Sequence, residues 1–305
     1  MYSGFNLQMV LFQAIVEDRD KGPQGASITV TRLGPENPNP EQHTFTGYSE
    51  HQIRFPLRPD VSTLEKRYLD MHGSACEVYD MGPIISAWFT KYLNFETKLM
   101  YIGNNARVVL GSGAPNGDMA IAKRSPTLAP LRKLLPKLLK TPTETITFQD
   151  IGQYLVVTKE SNDEVSSRLA DGQKMNIHKF RPNSIVSGSP TPYDEDFWAQ
   201  LVFPSNLKMD FGGTCWRCQA ITVDLKTGKR AEGEEGEVWK RLNKDRRVDT
   251  GWKYGPVFGK YSYTGLGDVG RTIGVGDEAV LTKRVREQPV FDWPLPKAVV
   301  AAFSG

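Results

Sequence analysis

LKMDFGGTCWRCQAITVDLKTGKR, residues 207–230, sets Cys215 and Cys218 three positions apart, between a Gly212-Gly213 approach and a β-branched run that closes on a Lys226-Thr227-Gly228 turn. A C-x-x-C at a strand calls either for chemistry or for packing, and four readings compete. A structural zinc site needs about four ligands. The chain has no second C-x-x-C, and His43, His51, His72 and His178 are not at paired ligand spacing. A redox pair belongs at a helix start, where the dipole lowers the thiol pKa, whereas QAITVDL after Cys218 predicts a strand. Two buried cysteines acting as small hydrophobes fit the local sequence. So does one thiolate for a soft metal, with Arg217 beside it to hold an anionic cofactor.

Two other segments have the same double character. Arg181-Pro182-Asn183 opens a strand after a basic stretch, and its proline fixes the backbone so that a guanidinium and an amide can face one target. Any strand entry can also contain these residues. Asp150-Ile151-Gly152 lies between two strand-like runs in TITFQDIGQYLVVT, and its glycine would let the backbone approach a phosphate or a flat ring. A plain turn explains it equally well.

Around these motifs the chain reads as a folded, β-rich protein. Its 305 residues can bury a sizeable core, and 39% hydrophobic with 24% charged residues excludes disorder. Lys+Arg 38 against Asp+Glu 35 leaves +3, which gives no electrostatic reason to expect nucleic acid. Three cysteines, Cys76, Cys215 and Cys218, are too few for a disulfide framework and point to a reducing compartment, cytoplasmic or at a mitochondrial surface. Neither a signal peptide nor an apolar span is legible, so membrane contact is not evident. The apolar run Met9 to Val16 reads as an internal strand with earlier neighbours, as if the start were clipped.

ASITVTRL, 26–33, alternates as a half-buried strand, and GPIISAWFTKYLNF, 82–95, puts Ile85, Trp88, Phe89, Tyr92 and Leu93 on one helical face. KLMYIGNNARVVLG, 98–111, predicts a hairpin turning near Gly103. LAPLRKLLPKLLK, 128–140, predicts a kinked helix whose leucines face a core or a membrane surface. Ser161 with Glu164 predicts a helix start. KMNIHKFRPNSIVSG reads as strand-like, and YDEDFWAQLVF as a short helix. Two more strands follow in VFGKYSYTG and IGVGDEAVL, before EQPVFDWPLP, a proline-broken tail expected to drape over the surface.

The order of these pieces, FQDIGQYLVVTKESNDEVSSRL, FRPNSIVSG, CWRCQAITVDLKTGKR, GPVFGKYSYTG and IGVGDEAVL, resembles the MOSC domain of molybdenum cofactor sulfurases and of the mitochondrial amidoxime-reducing component. MVLFQAIVE and ISAWFTKYLNFETKLMYI look like the β-rich companion domain of that family. The resemblance implies an α+β, β-rich fold. An N-terminal β domain (1–115) and a linker (116–127) would precede a distorted β-barrel with peripheral helices (128–285) and the tail (286–305).

Carried over by position, the resemblance implies that Cys218 is the molybdenum ligand and catalytic centre. Asp150, Ile151, Gly152, Arg181, Asn183, Trp216 and Arg217 would hold the molybdenum–molybdopterin cofactor (Moco). A Lys-Ser pair and a Tyr-Asp-Arg element of the family fall before the point where this chain starts, so the cofactor would meet fewer cationic and hydroxyl groups. The implied activity is reduction of N-hydroxylated small molecules, with a haem protein and its flavin reductase as electron donors. Two alternatives are sulfur transfer, which in the sulfurases draws on a pyridoxal-phosphate domain, and non-catalytic cofactor carriage.

Overall fold

The computed structural model describes residues 6–34, 51–124, 143–297 and 300. The chain divides into two compact units. One comprises Met1–Leu69, Cys76–Asn105 and Thr222–Gly236, and the other Asp70–Ala75, Ala106–Ile221 and Glu237–Gly305. Residues 222–236, sequence neighbours of the C-x-x-C, therefore group with the first unit. The leucine-rich 128–140 segment lies outside the described residues.

In the first unit β1 (Phe12–Glu17), β2 (Ser27–Arg32) and β3 (Gln52–Pro56) form an antiparallel sheet in that order. β1 is its edge among the described residues, and Gln13, Ala14 and Ile15 are exposed, so the internal strand read at Met9 to Val16 is instead a short 3-10 turn followed by an edge strand. Strands β4 (Glu65–Met71), β5 (Ser74–Asp80) and β6 (Met100–Tyr101) make a second sheet. Helix α1 (Pro83–Leu93) starts after Gly82, at φ 94°, and stops at Asn94 in the left-handed region. Both ends follow from residues that tolerate positive φ. Its apolar face is the expected one: Trp88 is buried with Val30, Ile53 and Phe55, and Ile85, Phe89 and Tyr92 pack alongside.

The second unit is built on a curled six-stranded sheet ordered β10-β9-β13-β12-β11-β14. Its strands are β9 (Tyr154–Thr158), β10 (Ser184–Val186), β11 (Trp198–Val202), β12 (Lys208–Trp216), β13 (Val257–Thr264) and β14 (Val280–Arg284). Only β9 and β10 pair in parallel; the other neighbours are antiparallel. Downstream of α2 (Asp118–Arg124), a crossover containing α3 (Lys159–Ser167) joins the parallel pair, as such a connection requires. One face of the sheet buries Leu155, Val157, Cys215 and Phe258 with Val165, Phe180, Val238 and Leu242. A second cluster gathers Val156, Trp198, Leu201 and Met209. Val238 and Leu242 come from α4 (Gly233–Leu242), which the sequence reading had not named.

Six local expectations are corrected. Residues 98–111 do not form a hairpin: β6 pairs with β5, while β7 (Arg107–Val108) pairs with β8 (Thr145–Ile146), far along the chain. Helix α3 is capped by Thr158, whose hydroxyl accepts from Ser161 N–H at 3.2 Å, and not by Ser161. The strand-like reading of 174–188 holds only for β10, since Ile177–Phe180 is a 3-10 turn. Likewise YDEDFWAQLVF is a 3-10 turn, Asp194–Phe197, running into β11. The strand at the C-x-x-C leads into it and carries its first cysteine, because β12 ends at Trp216 and Gln219–Thr222 is a 3-10 turn. The tail is also more than a surface drape: Trp293 is buried with Val109, Ile146 and Tyr263, and its indole N–H donates to His72 O at 2.6 Å.

Candidate functional site

β12 loses regular pairing with β13 between Phe211 and Thr214, and again between Thr214 and Trp216. Such shifts bend a strand and re-aim its side chains. Gly212 and Gly213 stand where the first occurs, and a Cβ on Gly213 would meet nothing within 4 Å. Beyond the bend Cys215 enters the core, 3% exposed. Trp216 instead stacks on Trp252, centroids 4.4 Å apart at 24°, with Phe291 edge-on at 6.0 Å. Its ring is thus part of an aromatic stack.

Arg217 is fixed through both main chain and side chain. Its N–H donates to Pro256 O at 2.7 Å, and its carbonyl accepts from Trp239 Nε1 at 2.7 Å. In the guanidinium, Nη1 donates to Cys215 Sγ at 2.9 Å and Nη2 to Phe180 O at 2.7 Å, with the Phe180 ring 5.6 Å away. Burial works against the charge, but the Cys215 and Cys218 sulfurs beside it hold its pKa above the usual value. Nε is buried and has no hydrogen-bond acceptor among the described residues. Cys218 follows at once, partly buried and free of any disulfide. The sequence predicted this thiol at a strand entry; it sits just past a strand end, positioned by the pins on Arg217.

The Asp150 turn is held from below by Arg107, which the sequence reading missed. This fully buried guanidinium donates to Thr147 O (2.8 Å), Met71 O (2.9 Å), Gln149 O and Asp150 O (3.2 Å). A run of carbonyls compensates the desolvated charge and fixes the loop. The only hint in ARVVLG was an arginine within an apolar run.

The Asp150 carboxylate stays outward, its side chain 69% exposed, with His72 Nε2 3.8 Å from Oδ1. Burial of the loop acts to raise its pKa, but His72, Arg181 and Arg217 outweigh that and hold it below the usual carboxylate range. Arg181 and Arg217, 31 and 67 positions further along the chain, therefore both act on the Asp150 carboxylate.

Arg181 is exposed and adopts φ 55°, ψ 46° immediately before Pro182. A left-handed arginine preceding proline is unfavourable, and such strain persists where surroundings over-determine it, often at functional sites. Asn183 is largely structural: its Oδ1 accepts from Leu155 N–H and its N–H donates to Leu155 O, both at 2.8 Å. That exchange extends the β9–β10 pairing and leaves only the side-chain NH2 for a ligand. Ile151 is buried, its carbonyl accepting from Tyr263 at 2.8 Å. Gly152 is glycine because a Cβ would stand 2.6 Å from Tyr261 Cβ and Cδ1. Its missing side chain admits a protein ring.

Among the described residues, no three His, Cys, Asp or Glu side chains are grouped to hold a metal ion. A metal held by Cys218 has to arrive with other donors attached. The residues fit such a cofactor: a partly exposed cysteine, a guanidinium with an orphaned buried N–H, a second exposed guanidinium and an ionised carboxylate match an anionic, hydrogen-bonding ligand. Among the described residues no helix is long and apolar enough to cross a membrane.

Residues 143–280 match the MOSC domain family. The molybdenum cofactor sulfurase of Arabidopsis thaliana is 25% identical over 187 residues, covering 59% of this chain and 20% of that protein. That of Oryza sativa subsp. japonica is 28% identical over 191 residues, 60% and 20% respectively. The Homo sapiens sulfurase is 23% identical over 196 residues, 64% and 20%. The chain thus spans about a fifth of the length of these curated relatives.

Proposed function

With a MOSC domain over residues 143–280 as the premise, we propose that this chain holds a molybdenum–molybdopterin cofactor through the Cys218 thiolate and reduces N-hydroxylated small molecules with it. The observation that carries the reading is that the partly exposed Cys218 follows Arg217, whose Nε–H is unmatched and which is felt, together with Arg181, by the ionised Asp150.

Each residue has a part that follows from its chemistry. Cys218 supplies the sulfur donor that a high-valent metal favours. Arg217 and Arg181 bring positive charge to anionic oxygens of the cofactor, Arg217 from a locked geometry and Arg181 from a strained one. Asp150 accepts hydrogen bonds from N–H donors, the complement of an amino-bearing pterin edge. When bound, the cofactor supplies two-electron chemistry that takes an N–OH group to N–H and water, with two protons consumed. A haem protein and its flavin reductase are the proposed electron source. The decisive measurement is molybdenum per chain on purified protein and on Cys218→Ala, with turnover of an amidoxime by reduced protein. Near-stoichiometric metal on the wild type, lost in the variant, is expected. Equal metal on both overturns the assignment of Cys218.

A second reading is transfer of sulfur to the cofactor, favoured by the names of the relatives, molybdenum cofactor sulfurases, whose length this chain covers only in part. Bound cofactor without reductase turnover, together with a persulfide adduct on a cysteine detected by mass spectrometry, is its signature.

A further inference from the structure

Cys215 has a place in the geometry that neither the metal assignment nor hydrophobic packing absorbs. Its sulfur receives Arg217 Nη1–H at 2.9 Å and lies 3.2 Å from the Tyr261 hydroxyl. Arg217 uses Nη2 on Phe180 O, so two protein acceptors on one guanidinium fix its plane. What remains, at Nε, is a buried N–H with no acceptor among the described residues. Tyr261 is itself held in place, its ring filling the space that a side chain on residue 152 would need. Burial, with Cys215 and Asp150 alongside, keeps its phenol protonated far above neutral pH.

We propose that Cys215 is a positioning residue: its sulfur, braced between Arg217 and Tyr261, locks the Arg217 guanidinium and so keeps Nε–H available to an anionic group of the ligand at Cys218. The inference rests on the cofactor reading above. Sulfur suits the place because it can accept from Arg217 and donate its S–H to the Tyr261 hydroxyl oxygen while packing with Leu155, Val157 and Phe258. A serine oxygen keeps the acceptor at shorter reach and packs poorly, whereas a valine packs well and removes the acceptor.

That contrast makes the test. Molybdenum per chain and its rate of loss during gel filtration are measured for wild type, Cys218→Ala, Cys215→Ser, Cys215→Val and Tyr261→Phe, with thermal unfolding of each metal-free protein. The brace predicts retention in the order wild type, Ser, Val, with Val losing metal roughly tenfold faster, as deletion of a supporting hydrogen-bond partner does in metal sites. Tyr261→Phe, lacking only the hydroxyl, shifts in the same direction. A purely apolar role reverses Ser and Val, and that order, or a Val variant as retentive as wild type, overturns the proposal. Retention by Cys218→Ala equal to wild type overturns the cofactor reading instead, whatever residue 215 does.

Discussion

Lys260 is 1% exposed, and its ammonium donates to Asp196 O and Trp198 O at 2.8 Å each. Burial pushes its pKa down from 10.5 to about 8, against the pull of Asp196 and Glu195. Between those two values the unfolded chain still holds a proton that the folded chain has released, so this lysine makes stability rise with pH across that window. Comparison with Lys260→Met by urea unfolding is expected to show wild type gaining on the variant by at most about 1.4 kcal/mol per pH unit from pH 8 to 10.5. A constant gap would refute it. At Gly152 the issue is space: Gly152→Ala drives a methyl group into the Tyr261 ring. A loss of about 1–3 kcal/mol in unfolding free energy is expected, as for other overpacked cores. Unchanged stability would mean that the ring can move aside.

Among the elements, the α3 start is set by a side chain from the preceding strand. Thr158 Oγ1 caps Ser161 N–H and, with Ser161 Oγ at 2.9 Å, serves Glu195 Oε2, a carboxyl whose pKa burial raises. Thr158→Val keeps the volume and removes these bonds. It is expected to lower unfolding stability by about 2–3 kcal/mol, a cap plus a buried acceptor short of a donor; a change under about half of that would relocate the cap to Ser161. The Ser161–Glu164 pattern misled because a capping box is recognised from two residues, and Thr158, already in a strand pattern, offers the same hydroxyl one turn earlier. The 98–111 hairpin failed for a related reason. Two-residue strands carry too little pairing energy to choose a neighbour, and Arg107, needed beneath the Asp150 turn, takes its strand elsewhere.

On the scale of the whole molecule, residues remote in sequence complete the second unit. Trp293, in the proline-broken tail, joins the core that holds Ile151 and Tyr263. Trp293→Ala is therefore expected to cost about 3–5 kcal/mol, read as a lower midpoint in thermal unfolding. A tail that merely draped over the surface would leave the midpoint in place. Asp292 belongs to the same closure, accepting from Ser112 N–H at 2.8 Å and Lys123 Nζ at 2.7 Å.

Periodicity alone determined α1 and β2, because an amphipathic face and an alternating strand are local properties set by which residues can leave water together. The ordered motifs around Arg181-Pro182-Asn183 and Cys215-Trp216-Arg217-Cys218 were legible too, since residue type fixes what a guanidinium or a thiol can bind. Tertiary structure alone decided the rest: that Arg181 and Arg217 both act on Asp150, that Trp216 stacks on Trp252 and Asn183 pairs with Leu155, that Gly152 makes room for Tyr261, and that buried Arg107 holds the turn. Each of these depends on which atom lies within a few ångströms of which other, and hydrogen bonds and van der Waals contact are decided at that range, across residues the sequence keeps far apart.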